Sequence, residues 1–212
     1  MQIIQIALFR RTQTTYFNQT LPRIKKDKFT LYEKEMGQNT IIVNVGISGS
    51  GKSTFTAELL GKDNRYLRIN RDDIRRVLVK DLTGYYQRKD LFKIEELVTG
   101  IEDFIFWGII NRGKIPVIDN TNLTETYIKR WITLTETANL IRDEQDKLEI
   151  KFKIHDCNLA TAQNRVAARD FGLNKKENYC EREEVQYIKK QYAQYQTVKQ
   201  FLLNNFQNQI LC

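Results

Sequence analysis

An α/β fold, with a central parallel sheet flanked by helices, is what this sequence predicts, and three observations predict it. Short apolar runs alternate with longer helical stretches from Thr40 onward. A glycine-rich octapeptide, Gly46 to Ser53 (GISGSGKS), follows the first apolar run and opens a helix-like stretch. Acids and amides stand directly after two further runs, in Asn70-Arg71-Asp72-Asp73 and Asp119-Asn120-Thr121-Asn122.

Ile41 to Val45 is the first strand, and Ser53 to Leu60 is the helix after the octapeptide, with Gly61 placed to cap its end. Tyr66 to Ile69 reads as a short second strand, after which Asp72 or Asp73 can begin a helix running through Val79. Asp90 to Asn111 has the length and apolar spacing of a long helix closed by Gly113. Ile115 to Asp119 is another buried strand, Thr124 to Leu140 a helix, and Leu148 to Cys157 a strand. Leu159 to Asp170 is a helix carrying Arg165 and Arg169 one turn apart on one face. A loop with Gly172 and Asn174 leads to a long polar helix from about Glu181 to Phe206.

The length, 212 residues, suits one compact domain with room for a small lid or tail. Residues 1–35 hold seven basic and three acidic residues, half of the net charge of +8, and lack sustained periodicity. They read as a flexible basic N-terminal extension, or as residues translated from a start upstream of Met36, with 36–212 the folded domain. Global charge therefore does not establish nucleic-acid binding by itself. The most apolar helical stretch, Ile101 to Ile110, is interrupted by Glu102 and Asp103, so no segment approaches the roughly 20 apolar residues a bilayer span needs. Cys157, Cys180 and Cys212 are too scattered for a disulfide framework or a zinc site, and a cytoplasmic setting fits them.

The octapeptide has the composition of a phosphate-binding loop. Glycines at Gly46, Gly49 and Gly51 permit the backbone to turn its N–H groups around phosphate oxygens, helped by the positive end of the helix that follows. Lys52 supplies a mobile cation for the β- and γ-phosphates, and Ser53 a hydroxyl for Mg²⁺. In α/β folds ligands gather beyond the carboxyl ends of the strands, which places Asp72, Asp73 and Asp119 opposite that loop. Asp72 is placed to accept a proton from an attacking hydroxyl, and Arg75, one turn later, to hold a phosphate on the acceptor. The plainer alternative for Asp72 and Asp73 is a helix N-cap. Asp119 has the position of the acid that orients Mg²⁺ or its water, or else of a turn residue. Arg165 and Arg169 are either a lid over the triphosphate or a solvated helix face.

GISGSGKST, YLRINRDDIR, VIDNTN and the Arg-x-x-x-Arg helix together resemble the 5′-hydroxyl polynucleotide kinases of bacteriophage and of animal DNA-repair enzymes, over roughly Ile41 to Lys190. The resemblance implies a P-loop kinase fold with a helical lid at about 159–180 and transfer of the ATP γ-phosphate to the 5′-OH of DNA or RNA. It makes Asp72 the general base, Lys52 and Arg169 its catalytic companions, and Arg75 the contact to the acceptor's 3′-phosphate, with Asp73, Asn120 and Thr121 beside it. The nucleotide set it implies is Gly46, Ser48, Gly49, Ser50, Gly51, Lys52, Ser53, Thr54 and Arg165, with Ser53 and Asp119 toward Mg²⁺. The bacteriophage pattern has an acid where Asn120 stands, whereas the animal pattern matches Asp119 to Asn122 directly. An Asp-x-Asp-x-Thr phosphatase motif, usual in the family, is absent from the sequence, so end phosphorylation without 3′-phosphate removal is expected, alongside a separate ligase or phosphatase. Two other readings compete: a small-molecule kinase similar to the zeta toxins, and a non-catalytic module in which ATP only orders the lid. Tyr85 and Tyr86 are the better candidates for base stacking, Phe104, Phe106 and Trp107 read as core, and the lone His155 as structural.

Overall fold

The computed structural model describes residues 39–83, 94–171 and 183–211, all within the compact unit Glu35–Cys212. The basic segment 1–35, Tyr85, Tyr86 and the 172–180 portion of the expected lid lie outside the described residues.

Five strands form one parallel sheet. They are β1 (Thr40–Val45), β2 (Tyr66–Ile69), β3 (Ile115–Ile118), β4 (Glu149–Ile154) and β5 (Ile210–Leu211), in the spatial order β2-β3-β1-β4-β5. Among the described residues six α-helices connect or cover them: α1 (Lys52–Lys62), α2 (Arg71–Thr83), α3 (Glu95–Ile110), α4 (Glu125–Asn139), α5 (Leu159–Phe171) and α6 (Glu183–Asn205). Because β1 sits between β3 and β4, both of its edges are paired, and Ile41, Ile42, Val43 and Val45, which alternate between its two faces, have no exposed surface. A continuous apolar run is the pattern such a strand requires.

Register fixes which loops share an edge. Val43 pairs with Ile118 and Phe152, and Ile69 also pairs with Ile118, so the carboxyl ends of β1, β2 and β3 align at one side of the sheet. The loop after β1, the turn into α2 and the turn after β3 all emerge there. At the opposite end a cavity of about 430 Å³, lined by Asn39, Lys114, Ile115, Arg142 and Asp146 among others, opens away from them.

Several boundaries differ from expectation for local reasons. Helix α1 runs through Gly61 and ends at Lys62, with Asp63 in extended conformation as its cap. Gly113 does close α3: at φ 64° its N–H bonds the Ile110 carbonyl at 3.0 Å, and Lys114 N–H bonds Ile109 at 3.2 Å. Phe104 is 79% exposed rather than buried. The buried face of α3 runs Val98, Glu102, Phe106, Ile109 and Ile110, and Phe104 lies on the other side of the helix. The edge strand β5 was not expected at all, since two residues carry no periodicity, and it exists by pairing Ile210 with Phe152.

Candidate active site

The phosphate loop is built by backbone constraint. Gly49 and Gly51 have φ of 82° and 102°, a conformation side-chain-bearing residues rarely adopt. At Gly49 space forbids a side chain as well, because a Cβ would stand 2.7 Å from the Ala162 carbonyl oxygen on α5. Gly46 is anchored by its N–H to the Thr121 carbonyl at 3.1 Å, joining the loop to the turn after β3. Lys52 is buried, with its ammonium donating to the Ile47 carbonyl at 2.7 Å, so the cation is folded back inside the loop. No side chain caps the α1 N-terminus. Its first N–H groups, the left-handed glycines and the buried Lys52 form a cradle whose chemistry fits a triphosphate.

Beneath the loop lies a polar layer. Asn44, fully buried in β1, donates to Thr56 of α1 at 2.8 Å and faces His155 Nε2 at 2.9 Å. Since the Asn44 amide nitrogen is spent on Thr56, its oxygen accepts from His155, which fixes a neutral ring protonated at Nε2. Burial, with Lys52 and Lys153 adding repulsion, pushes the His155 pKa down to about 3. Asn122, at φ 50°, donates to the Asn44 carbonyl at 2.8 Å and accepts from Trp131 Nε1 at 3.1 Å, tying α4 to the centre of the sheet.

Ser53 and Asp119, the two residues expected toward Mg²⁺, stand side by side: the serine hydroxyl donates to Asp119 Oδ1 at 3.3 Å. Both are hard oxygen donors. The Asp119 side chain has no exposed surface, and burial raises its pKa, opposed by Arg68, Ser53 and Lys52. Arg68 of β2 covers the other oxygen, with Nε 2.6 Å from Asp119 Oδ2, and also bonds the Asp73 carboxylate. A continuous chain of contacts therefore runs Ser53, Asp119, Arg68, Asp73, from the phosphate loop to the first turn of α2.

That first turn is capped by Asn70, whose Oδ1 accepts from Asp73 N–H at 3.0 Å while its amide nitrogen bonds the Asp119 carbonyl. Neither aspartate is needed as the cap. Asp72 is 75% exposed, and its partner is Arg75 at 2.8 Å. Arg75 in turn grips Glu95, at the start of α3, through Nε–Oε1 at 2.7 Å and Nη2–Oε2 at 2.9 Å. Burial works against the Arg75 charge, yet Glu95 and Asp72 more than offset it and its pKa rises. The same bonds to Arg75 hold the Glu95 carboxyl below its ordinary value.

Asn120 and Thr121 serve the scaffold in this structure. Asn120 is buried, its oxygen accepting from Arg71 N–H at 2.8 Å and its nitrogen donating to Glu102 at 2.7 Å. Glu102, fully buried on α3, also receives Arg71 and, at 3.1 Å, Arg130 of α4. Groups from α2, α4 and the turn after β3 converge on this one carboxylate. Sequence reasoning passed over Glu102, although an acid four residues from both Val98 and Phe106 on an apolar helical face was the available signal. Arg68, Glu95 and Gln191 were also missed.

Helix α5 packs on the loop, and Arg165 Nη1 reaches the Gly49 carbonyl at 3.1 Å. Arg169 lies in the same helix, its side chain outside the described residues. Gln191 of α6 accepts from Ser48 N–H at 2.9 Å. Ser50 is buried with its hydroxyl unpartnered, whereas Thr54 is exposed on α1. Among the described residues no group of three His, Cys, Asp or Glu forms a metal cluster, and no helix is long and apolar enough to cross a membrane.

Comparison with known proteins agrees with this fold. The chain is 29% identical over 210 residues to a protein of Autographa californica nuclear polyhedrosis virus named "Putative bifunctional polynucleotide kinase/RNA ligase". The match covers 94% of this chain and 26% of that protein, so the chain spans about a quarter of its relative's length. Among solved structures, one from the Pnkp1/Rnl/Hen1 RNA repair complex superposes with a TM-score of 0.55 at 19% identity, covering 79% of this chain and 48% of that one. The AvrRxo1-ORF1:-ORF2 structure with ATP gives 0.54 at 15% identity, covering 92% and 68%. A family model described as an AAA domain matches residues 41–195. With its glycine loop at the carboxyl edge of a five-stranded parallel sheet, the chain belongs to this AAA domain family and has the fold of the P-loop kinases.

Proposed function

We propose that this P-loop kinase transfers the γ-phosphate of ATP to the 5′-hydroxyl end of a polynucleotide. The observation that carries the reading is the contact chain from Ser53 through Asp119 and Arg68 to Asp73, which couples the triphosphate cradle to the helix turn bearing Asp72 and Arg75. The match to a viral protein whose name includes polynucleotide kinase supports the choice of acceptor.

Each residue then has a defined task. Loop N–H groups and Lys52 hold the donor phosphates, and Ser53 with Asp119 hold Mg²⁺, which supplies charge neutralisation at the phosphates when bound. Asp72 accepts the proton of the attacking hydroxyl, its carboxylate oriented by Arg75 at 2.8 Å. Arg75 meets an acceptor phosphate by exchanging Glu95 for it. Arg165 and Arg169 on α5 close over the phosphoryl group during transfer. Phosphoryl transfer asks for positioning and electrostatics more than covalent chemistry, and this arrangement supplies both.

The test is incubation with labelled ATP and a panel of 5′-OH DNA and RNA ends, beside nucleosides with and without a 3′-phosphate. Transfer to polynucleotide ends is expected to exceed transfer to small acceptors. Preferential labelling of a sugar-nucleotide or other small metabolite would refute the acceptor assignment, and tight ATP binding without transfer to any acceptor would leave a binding module.

A further inference from the structure

Arg68 belongs to β2, inside the YLRINRDDIR stretch but with no site role assigned to it so far, and it sits between the phosphate loop and the α2 turn. Its Nε donates to Asp119 Oδ2 at 2.6 Å, and its Nη1 donates to the Asp73 carboxylate. The Asp119 side chain is wholly buried, whereas Arg68 is 30% exposed, so the guanidinium covers the carboxylate from the solvent side. Ser53 takes the remaining oxygen, Oδ1, at 3.3 Å. Both oxygens of the acid assigned to Mg²⁺ are thus engaged by the protein itself.

We infer that Arg68 is a positioning residue that stands in for the divalent cation at Asp119 when no nucleotide is bound, so that metal enters only together with the triphosphate. The inference rests on the reading of Asp119 as a metal-side acid. A carboxylate buried without a cation is strongly disfavoured, and a guanidinium supplies a charge that cannot be lost by deprotonation. Metal therefore has to displace Arg68 from Asp119, and an isolated divalent ion gains little from replacing one cation by another. A metal held also by the donor phosphates gains more. Asp73 gives the displaced guanidinium a second carboxylate to keep, which limits the cost of the exchange and links metal entry to the turn that carries Asp72.

Mn²⁺ titration followed by electron paramagnetic resonance, with and without a non-hydrolysable ATP analogue, tests this directly. Wild-type protein is expected to bind Mn²⁺ saturably only with the analogue present. Arg68→Met is expected to bind Mn²⁺ without nucleotide at least tenfold more tightly than wild type, and Asp119→Asn in that background to abolish the binding. Arg68→Lys, which keeps a cation, is expected to behave like wild type. Equal nucleotide-free affinity in wild type and Arg68→Met, with nucleotide-dependent binding intact, overturns the role of Arg68. Should Arg68→Met fold poorly, nucleotide-free Mn²⁺ binding at Asp119 in wild type overturns it equally. Unchanged Mn²⁺ binding with the analogue in Asp119→Asn removes the metal reading underneath, a distinguishable failure.

Discussion

The two halves of the proposed site, donor and acceptor, are held by different means. The phosphate loop is set by backbone: left-handed glycines, an α5 carbonyl that leaves no room for a Cβ at Gly49, and a lysine folded onto its own loop. The proposed acceptor side is set by charged side chains: Asp72, Arg75, Glu95 and the buried Arg71 hold one another at the start of α2 and α3. A backbone cradle is stiff and committed to one ligand class. A lattice of ion pairs can exchange an internal carboxylate for an external phosphate.

Breaking the donor half should have the largest effect. Lys52→Met is expected to lower transfer by about 10³-fold or more, since in the proposed reaction the ammonium turns from the Ile47 carbonyl to the developing phosphoryl charge. Gly49→Ala combines a left-handed φ with a 2.7 Å clash and is expected to lose both ATP binding and stability, by several kcal/mol, in calorimetry and thermal melting. In the acceptor half, Asp72→Asn should reduce kcat by about 10²- to 10⁴-fold while ATP affinity changes less than about twofold.

Glu95→Gln is a finer probe. It weakens the grip on Arg75, so KM for an acceptor bearing a 3′-phosphate is expected to fall by about two- to fivefold, with KM for ATP unmoved. Parallel changes in both constants would show that Glu95 supports the whole site rather than its acceptor side.

The smallest effect on transfer is expected from the last probe, which reads stability under the loop. In the folded chain burial pushes the His155 pKa down to about 3, below the ordinary value of 6.5, so the unfolded chain binds the extra proton between these values. This contribution is intact above pH 6.5 and is lost as pH falls toward 3, at a slope approaching ~1.4 kcal/mol per pH unit. Chemical denaturation across that window should show a shallower pH dependence in His155→Gln than in wild type.

The donor half was legible in the sequence because its geometry is local. Glycine spacing, the preceding strand and the lysine are contiguous, and the parallel sheet followed from the alternation of runs. Much of the acceptor half was not legible, because its partners are far apart in the chain. Arg75 meets Glu95 20 residues away, Arg71 meets Glu102 31 away, and Asp119 meets Arg68 51 away, which no local pattern encodes. For the same reason Asn120 was read as an acceptor contact, whereas its amide is spent on Arg71 and Glu102. Asn70 as the cap was hidden by two aspartates that looked equally suitable.

The most direct test of the central claim is single-turnover transfer from labelled ATP to a 5′-OH oligonucleotide by wild type and Asp72→Asn, with ATP affinity measured on the same samples. The account predicts rapid labelling by wild type, labelling slowed at least 100-fold in the variant, and matched ATP affinity. Wild-type transfer rates retained by Asp72→Asn, or no labelling by wild-type protein that binds ATP, would contradict it.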